Sequence, residues 1–308
     1  MKILALRLSA LGDVILSTPI LEYLSKKGVL DFLTYEEYAD IFREDPRINR
    51  VWRVKRKGLM KLVDILKEQD YDLLVDLQVK PITVFFSKIL GVKTIRVDKK
   101  TIKRRLHVWF GLDYEGGVVW KRYLKNVADY FGEEPPNTYP KIYPPDVLLP
   151  FDIPDNFVAI FPEASTKLKR WDFERFLNVA KVLTDKGINV VWMGKESFPE
   201  VDVGLDLRGK TDILQTIKVI GSANLVLSND SAPVHMARAL NIPVVVIMGP
   251  TAKTLGFVYE GIRVVEKNLN CRPCSTNGGG RCWRGDRECL NINEFDVISS
   301  IFELIRQI

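Results

Sequence analysis

The stretch LVLSNDSAPVHMARALNIPVVVIMG, residues 225–249, decides the fold of this chain. Residues 225–227 are apolar and predict a buried strand, and apolar residues at helical spacing over 234–240 predict a helix. A second apolar run, residues 244–248, predicts another strand that ends at Gly249. A strand, a crossover helix and a strand in direct succession predict two parallel strands of one sheet.

The same alternation continues in both directions from this stretch. Upstream, we predict strands over residues 157–161 and 189–193 and helices over residues 173–183 and 214–220. Downstream, an apolar stripe predicts a final helix over residues 295–308.

The first half of the chain shows a similar pattern. Predicted strands cover residues 2–8, 29–34, 51–54, 73–77 and 94–97, and predicted helices cover residues 14–24, 59–67 and 82–90. Pro19 lies inside the first helical pattern, so we expect that helix to begin later or to kink there. Strands that alternate with helices predict a mostly parallel sheet covered on both faces.

A proline-rich segment separates the two halves. Residues 133–154 contain seven prolines, whose fixed backbone angles and missing donors favour a linker. We therefore predict an α/β protein of two Rossmann-like domains facing across a cleft. The N-terminal domain covers residues 1–150 and the C-terminal domain covers residues 151–292. The domain to which residues 293–308 belong stays open, because the final helix can pack back on the N-terminal domain.

Bulk composition narrows the class of protein. The 308 residues are 46% hydrophobic and 27% charged, which is typical of a folded globular protein. No apolar run approaches the ~20 residues that span a bilayer, and no signal-peptide pattern is visible, so we expect a cytoplasmic protein. A net charge of +6 favours anionic partners without choosing between phosphates, nucleic acid and anionic lipid.

The first candidate site is the turn at residues 229–235, between a predicted strand and a predicted helix. The first amide groups of a helix are unbonded and carry partial positive charge, which suits a phosphate. Capping of the helix by Asp230 and Ser231 is the alternative. Capping explains His235 less well, because this residue lies one turn into the helix, within reach of the same ligand.

The second candidate site is the segment FPEASTKLKRW, residues 161–171, which also follows a strand and precedes a helix. It carries two hydroxyl groups and three cations: Ser165, Thr166, Lys167, Lys169 and Arg170. Cations just before a helix oppose its dipole, so helix stability does not account for them, which favours a bound diphosphate. A basic loop closed by Trp171 against the core is the alternative.

The third candidate is Asp13, which follows the first strand. The loop has neither a dinucleotide fingerprint nor a P-loop, so it offers one carboxylate at the carboxyl end of a strand. This position is equally consistent with a helix cap and with a general base within hydrogen-bond reach of a substrate.

Taken together, three segments resemble the ADP-heptose:lipopolysaccharide heptosyltransferases, glycosyltransferase family 9. They are residues 3–14 with the following Ser17-Thr18-Pro19, residues 162–171 with their Lys-Arg-Trp ending, and residues 228–251. The segments stand in the family's order across most of the chain. The resemblance implies a GT-B fold and an inverting, metal-independent transfer without a catalytic cofactor. Its implied partners are ADP-heptose and a lipopolysaccharide core precursor, Kdo-lipid A or heptosyl-Kdo-lipid A.

The resemblance also implies roles for individual residues. Asp13 would be the base that takes the proton from the acceptor hydroxyl. Lys169 and Ser165 would stabilise the charge that develops on the diphosphate. The remaining donor-binding residues would be Thr166, Asp230, Ser231, Ala232 and His235.

Two residues depart from the family pattern. The family has glycine where Ala232 and Glu163 stand in this chain. A methyl group at the first position and a negative charge at the second change the surroundings of the donor. Two alternatives therefore stay open: a GT-B transferase for another nucleotide sugar, and a non-catalytic protein that binds a nucleotide sugar or a glycolipid.

Four cysteines lie close together near the C-terminus: Cys271, Cys274, Cys282 and Cys289. Their number permits a structural zinc ion, but the spacing after the first pair is loose. Two disulfides and free thiols are the other two states. All three states stay open.

A basic stretch of the first half carries five cations of interest: Lys99, Lys100, Lys103, Arg104 and Arg105. We expect them either to be solvated or to contact an anionic glycolipid acceptor or the cytoplasmic face of the inner membrane. Nucleic acid is not expected as a partner, since no nucleic-acid-binding motif accompanies the charge.

Overall fold

The computed structural model describes residues 1–196 and 199–306. The chain forms two compact units. The first unit contains Met1–Thr101 and Gly117–Pro145, and the second contains Ile102–Gly116 and Asp146–Ile308. The change from one unit to the other at Pro145 falls inside the proline-rich segment. Ile102–Gly116 belongs to the second unit although it lies between two segments of the first, and this was not predicted.

The first unit is built on a five-stranded parallel sheet with the strand order β3-β2-β1-β4-β5. The strands are β1 (Lys2–Leu6), β2 (Val29–Tyr35), β3 (Arg50–Val54), β4 (Leu73–Asp76) and β5 (Thr94–Arg96). Strands β1, β2 and β4 are apolar over most of their length and are buried, as expected of strands covered on both faces. The predicted parallel sheet is confirmed.

Seven α-helices lie in the first 130 residues. They are α1 (Leu11–Leu16), α2 (Thr18–Ser25), α3 (Glu36–Ala39), α4 (Val63–Lys67), α5 (Pro81–Leu90), α6 (Thr101–Phe110) and α7 (Val119–Tyr130). The expected break near Pro19 is confirmed, because α1 ends at Leu16 and Pro19 lies in the first turn of α2. Helices α6 and α7 were not predicted, although the buried residues of α7 recur at helical spacing.

The second unit is built on a six-stranded parallel sheet with the strand order β11-β10-β9-β6-β7-β8. The strands are β6 (Phe157–Phe161), β7 (Asn189–Trp192), β8 (Leu205–Asp206), β9 (Leu225–Asn229), β10 (Val244–Ile247) and β11 (Ile262–Val265). Strands β9 and β10 pair in parallel, as the stretch at residues 225–249 predicts.

Within the described residues, four α-helices cover this sheet: α8 (Phe173–Asp185), α9 (Ile213–Ser222), α10 (Ala232–Ala239) and α11 (Glu294–Ile305). Asp172 caps α8 by accepting a hydrogen bond from the Glu174 amide, and Asp212 caps α9 by accepting one from the Gln215 amide. Val297 and Ile301 of α11 lie in the apolar core of the second unit. Helix α11 thereby contributes apolar side chains to the core of the second unit. Residues 307 and 308 of its predicted span lie outside the described residues.

Each sheet reverses its strand order at one point. In the first unit the chain builds outward from β1 to β3 and then returns to place β4 on the other side of β1. In the second unit it builds from β6 to β8 and then places β9 on the other side of β6. Ligands of open α/β sheets bind beyond the carboxyl ends of the strands at such reversals. Among the helices of the described residues, none is both long and apolar enough to cross a membrane.

Candidate functional site

Asp13 lies at the strand reversal of the first unit. It is the third residue of α1, whose N-cap is Ala10, so the alternative that Asp13 caps this helix is wrong. Its carboxylate lies 2.6 Å from the guanidinium of Arg7, with side chains 30% and 4% exposed respectively. A partly exposed carboxylate held by a buried arginine has a fixed position and one side open to a substrate.

Arg7 is fixed by the loop that follows β4. Its guanidinium donates a hydrogen bond to the Leu77 carbonyl. The side-chain oxygen of Gln78 accepts hydrogen bonds from the Leu8 and Ser9 amides, both at 3.1 Å. The ends of β1 and β4 are therefore tied together around Arg7, and the orientation of the Asp13 carboxylate follows from that connection.

Lys99 belongs to the same cluster. Its amine donates a hydrogen bond to the Gln78 carbonyl. Burial and the neighbouring charge of Arg7 lower the pKa of Lys99 to about 8, although Asp13 acts in the opposite direction. Lys99 was predicted as part of an exposed cationic surface. The structure corrects this placement, because the side chain turns inward toward the Asp13 cluster.

The other cations of the basic stretch lie on or beside α6. Lys103 and Arg105 are exposed. Arg104, which belongs to the second unit, donates a hydrogen bond to the Thr276 carbonyl at 3.1 Å. The backbone amide of Lys100 donates to the Asp98 carboxylate at 2.7 Å. Only part of the predicted cationic surface is therefore directed to solvent.

Lys169 and Asp230 meet at the strand reversal of the second unit. The Lys169 ammonium lies 2.7 Å from Asp230 Oδ2 and donates a second hydrogen bond to the Asp230 carbonyl at 3.1 Å. The Thr251 hydroxyl donates to the same Oδ2 at 2.6 Å. The loops after β6, β9 and β10 therefore converge on one carboxylate.

The ionised form of Asp230 is stabilised by these neighbours. Burial acts to raise the pKa of Asp230. The charge of Lys169 and hydrogen bonds from Lys169 and Thr251 outweigh burial and hold the pKa below its ordinary value. Asp230 is consequently an anion at neutral pH, with hydrogen-bond acceptors to offer to a ligand.

The capping alternative for Asp230 and Ser231 is not supported by their contacts. Ser231 is the N-cap of α10 but makes no capping hydrogen bond with its side chain. The Asp230 carboxylate is bonded to Lys169 and Thr251 instead. Ala232 is the first residue of α10, so its amide and that of Ser231 stand at the end of a helix, where anions bind.

His235 is buried one turn into α10, as expected from its position in the sequence. Its ring lies nearly parallel to that of Tyr259 with 6.3 Å between centroids, and the ring of Phe257 lies at the same distance. The charge of His235 also contributes to the lowered pKa of Asp230. The helix end is thus backed by an aromatic cluster.

Asn229 joins the two predicted ligand loops of this unit. Its side-chain oxygen accepts from the Trp171 amide at 3.0 Å, and its side-chain nitrogen donates to the Pro162 carbonyl at 2.7 Å. Both ends of the segment at residues 162–171 are thereby fixed to the end of β9. Trp171 is buried and closes the loop against Phe176, as the alternative interpretation of this segment expects.

The rest of that segment presents polar groups. Ser165 is exposed, whereas the Thr166 hydroxyl oxygen is buried and has no hydrogen-bond partner among the described residues. Arg170 donates to the Ala164 carbonyl at 2.9 Å and pairs with the exposed Glu196 at 3.4 Å. Lys169 is therefore the cation of this segment that turns to Asp230.

Glu163 has a local structural role. Its carboxylate accepts hydrogen bonds from the Lys195 and Glu196 amides at 2.8 and 2.7 Å. A side chain at Gly194 would lie 2.4 Å from the same carboxylate, so glycine is needed there. The negative charge of Glu163 is thus bonded to the loop after β7.

Arg272 is a site residue that the sequence analysis missed. It donates hydrogen bonds to the Met248 and Thr251 carbonyls at 3.1 and 2.8 Å and pairs with Glu266 at 2.8 Å. It therefore positions the loop that carries the Thr251 hydroxyl. No local signal marked it, since both carbonyls are more than 20 residues away in the chain.

Gly278 was also missed. Its φ angle is +80°, and a Cβ atom there would lie 2.4 Å from the Lys169 side chain. The glycine loop therefore packs against the Lys169 stem, and only glycine fits without displacing it.

The four cysteines are free thiols in this structure. Burial raises the pKa of Cys289 to about 11, whereas hydrogen bonding by the backbone of Arg287 lowers the pKa of Cys282. Within the described part of the chain, no three His, Cys, Asp or Glu side chains are arranged to hold a metal ion. The choice between thiols, disulfides and zinc remains a prediction.

Known proteins share this arrangement of two parallel sheets. The chain is 25% identical over 276 residues to lipopolysaccharide heptosyltransferase 3 of Escherichia coli, a match that covers 78% of this chain and 81% of that protein. The structure of E. coli ADP-heptose LPS heptosyltransferase II superposes with a TM-score of 0.78 at 20% identity, covering 100% of this chain and 99% of that one. The structure of E. coli heptosyltransferase WaaC with ADP gives 0.72 at 18% identity, covering 99% and 100%.

These likenesses confirm the predicted GT-B class of fold. The family model of glycosyltransferase family 9 (heptosyltransferase) matches residues 59–278, which is more than half of the chain. The chain belongs to glycosyltransferase family 9.

Proposed function

We propose that this protein transfers L-glycero-D-manno-heptose from ADP-heptose to the inner core of lipopolysaccharide, with inversion at the anomeric carbon. The acceptor is Kdo-lipid A or heptosyl-Kdo-lipid A. Family membership supports the reaction class, and the relatives that match most of the chain carry the names of lipopolysaccharide heptosyltransferases. A structural neighbour holds ADP.

The observation that carries the proposal is the Lys169–Asp230–Thr251 cluster beside the first residues of α10. A nucleotide diphosphate needs cations and amide donors, whereas a sugar needs hydrogen-bond acceptors. This cluster supplies both within one loop junction. A site for phosphate alone has no need of a buried carboxylate, because a carboxylate repels it.

The donor half of the reaction is performed by the second unit. Lys169, Ser165 and Thr166 hold the diphosphate, together with the Ser231 and Ala232 amides. The Lys169 ammonium and the Thr251 hydroxyl both bond Oδ2 of Asp230. In this proposal Oδ1 accepts a hydrogen bond from a heptose hydroxyl.

The bond from the anomeric carbon to the diphosphate breaks during transfer, and the departing ADP gains negative charge. Donors already fixed in place, Lys169 above all, stabilise that charge more in the transition state than in the ground state. His235 backs the helix end at which the phosphate sits.

The acceptor half is performed by the first unit. The Asp13 carboxylate, fixed by Arg7, takes the proton from an acceptor hydroxyl while the hydroxyl oxygen forms its bond to the anomeric carbon. The proton is then on Asp13, the sugar is on the acceptor and ADP has left. The step calls for no metal ion. Because the acceptor is anchored in a lipid, we place the enzyme at the cytoplasmic face of the inner membrane.

The test is a transfer assay that measures release of the donor's own nucleoside diphosphate (ADP, GDP or UDP) with each acceptor, Kdo-lipid A and heptosyl-Kdo-lipid A. ADP-heptose should support release and GDP- and UDP-sugars should not, with and without a metal chelator. Preference for another nucleotide sugar would show that ADP-heptose is not the donor. Loss of activity on chelation would contradict metal independence. Donor binding without any transfer would identify a binding protein instead of an enzyme.

A further inference from the structure

Helix α6 is amphipathic, but its apolar side faces solvent, unlike that of an ordinary surface helix. None of its residues is buried. Its largest apolar side chains are directed to solvent, with Ile102 74%, Trp109 67% and Phe110 69% exposed. A surface helix normally turns its apolar side to the core and its charged side to water.

The exposed apolar residues form one stripe with cations along both edges. At about 100° per residue, the exposed Ile102, Trp109 and Phe110 and the partly buried Leu106 fall within an arc of about 100°. Arg105 lies next to Trp109 on one edge of this arc, and Lys103 lies next to Phe110 on the other. The helix contains no acidic residue.

Polar contacts on the opposite side fix this orientation. The Arg104 guanidinium bonds the Thr276 carbonyl at 3.1 Å and lies over the Phe257 ring at 5.4 Å. The ring of His107 bonds the Thr254 hydroxyl at 3.0 Å. These partners all belong to the second unit, as α6 itself does from Ile102 onward. The helix therefore cannot turn its apolar stripe inward without breaking them.

We propose that α6 docks this protein on an anionic lipid surface, lying in the plane of the headgroups with its apolar stripe inserted. An apolar face with flanking cations and a tryptophan is the composition that favours the membrane interface. Anionic headgroups complement Lys103 and Arg105, and each cation near such a surface strengthens binding about fivefold.

Charge argues against the main alternative occupant. A second copy of this chain, pairing α6 with α6, would bring Lys103 and Arg105 of both copies together with no acidic residue of the helix to compensate. A lipid surface has no such conflict. The inference rests on the proposed function only in that a lipid-anchored acceptor gives the docking its purpose.

The test is co-sedimentation of the full chain with vesicles of phosphatidylethanolamine and phosphatidylglycerol, compared with vesicles of phosphatidylcholine. We expect binding to the anionic vesicles. Trp109→Ser with Phe110→Ser, and Lys103→Glu with Arg105→Glu, should each weaken it at least about tenfold. The matched control is Phe295→Ser, since Phe295 of α11 is 72% exposed and lies outside the helix. It should bind as the wild type does.

Two further measurements keep the outcomes separate. Stabilisation by ADP in a thermal shift assay should be unchanged in every variant, which shows that each one is folded. Equal loss in the Phe295 control, or vesicle binding that survives both double substitutions, would overturn the proposal. The proposal would also be overturned if light scattering showed that the wild type is a dimer and that only the α6 variants are monomers. Vesicle binding without heptosyl transfer would disprove the proposed function and leave the docking surface intact.

Discussion

The ammonium of Lys169 lies 2.7 Å from the carboxylate of Asp230, although 61 residues separate them in the chain. The contact joins the loops after β6 and β9, the two neighbouring strands between which the second sheet reverses its order. Both side chains are largely buried, at 12% and 14% exposure. One ion pair therefore contributes both to the stability of the loops at the carboxyl ends of these strands and to the affinity of the proposed donor site.

Lys169→Met should lower the free energy of unfolding by about 3 kcal/mol, because it leaves the Asp230 carboxylate buried without its counter-charge. Asp230→Asn should cost less, since a neutral amide stays hydrogen-bonded. The double variant should be more stable than the sum of the two single effects predicts, because the residues are in contact. Urea unfolding measures all three, and ADP titration should show weaker binding wherever Lys169 is replaced.

The matched control is the surface pair Lys181 and Asp202, which lie 3.0 Å apart with both side chains about half exposed or more. Lys181→Met should cost no more than about 1 kcal/mol. Equal effects at the two pairs, or strict additivity at the buried pair, would contradict the coupling assigned to Lys169 and Asp230.

Asp13→Asn should lower the rate of heptosyl transfer by about 10²- to 10⁴-fold and leave ADP affinity unchanged, because it removes the proton acceptor from the first unit alone. Steady-state ADP release and ADP titration measure the two quantities. Asp64→Asn is the control, since Asp64 is an exposed carboxylate in the first turn of α4. Transfer that survives in Asp13→Asn would mean that another group is the base.

Strand positions were predictable because buried parallel strands read as short apolar runs between turns. Residues 225–229 and 244–247 illustrate this, and the apolar pattern alone places their loops at one sheet edge. The candidate site residues Asp13, Lys169 and Asp230 were predicted from their positions after β1, β6 and β9. The pattern does not determine which of these side chains touch.

Side-chain direction and long-range support were not predictable. Lys99 stands among other cations in the sequence, yet packing turns it to the Gln78 carbonyl. Arg272 is locally one more basic residue of the cysteine segment, and its role comes from contacts with residues 248–251 that are distant in the chain. Helix α6 carries apolar residues at helical spacing, but the sequence pattern does not reveal that this side of the helix is directed to solvent.

The stability of the first unit should depend on pH through Lys99. Burial lowers its folded pKa to about 8, whereas an unfolded lysine titrates near ~10.4. Below both values Lys99 is charged in both states, and its buried charge reduces stability by at most about 3 kcal/mol. Between them the unfolded chain binds more protons, so the wild type should gain stability relative to Lys99→Met as pH rises from about 8 to 10.4.

Urea unfolding of both proteins across that pH range checks the sign. Lys88→Met, which replaces an exposed lysine of α5, is the control, and its difference from the wild type should stay constant with pH. A Lys99→Met difference that is equally flat would show that the Lys99 amine is solvated in the folded protein.

Alkylation by iodoacetamide should distinguish the three states left open for the cysteines. Thiolates react and thiols do not, so the lowered pKa of Cys282 and the raised pKa of Cys289, about 11, predict labelling of Cys282 first and Cys289 last. Mass spectrometry of the peptides at successive times gives the order, and the urea-unfolded protein is the control in which all four label alike. Disulfides would block labelling until a reductant is added. A zinc ion held by all four cysteines would protect them together until a chelator removes it. In that case native mass spectra recorded before chelation would show the bound metal.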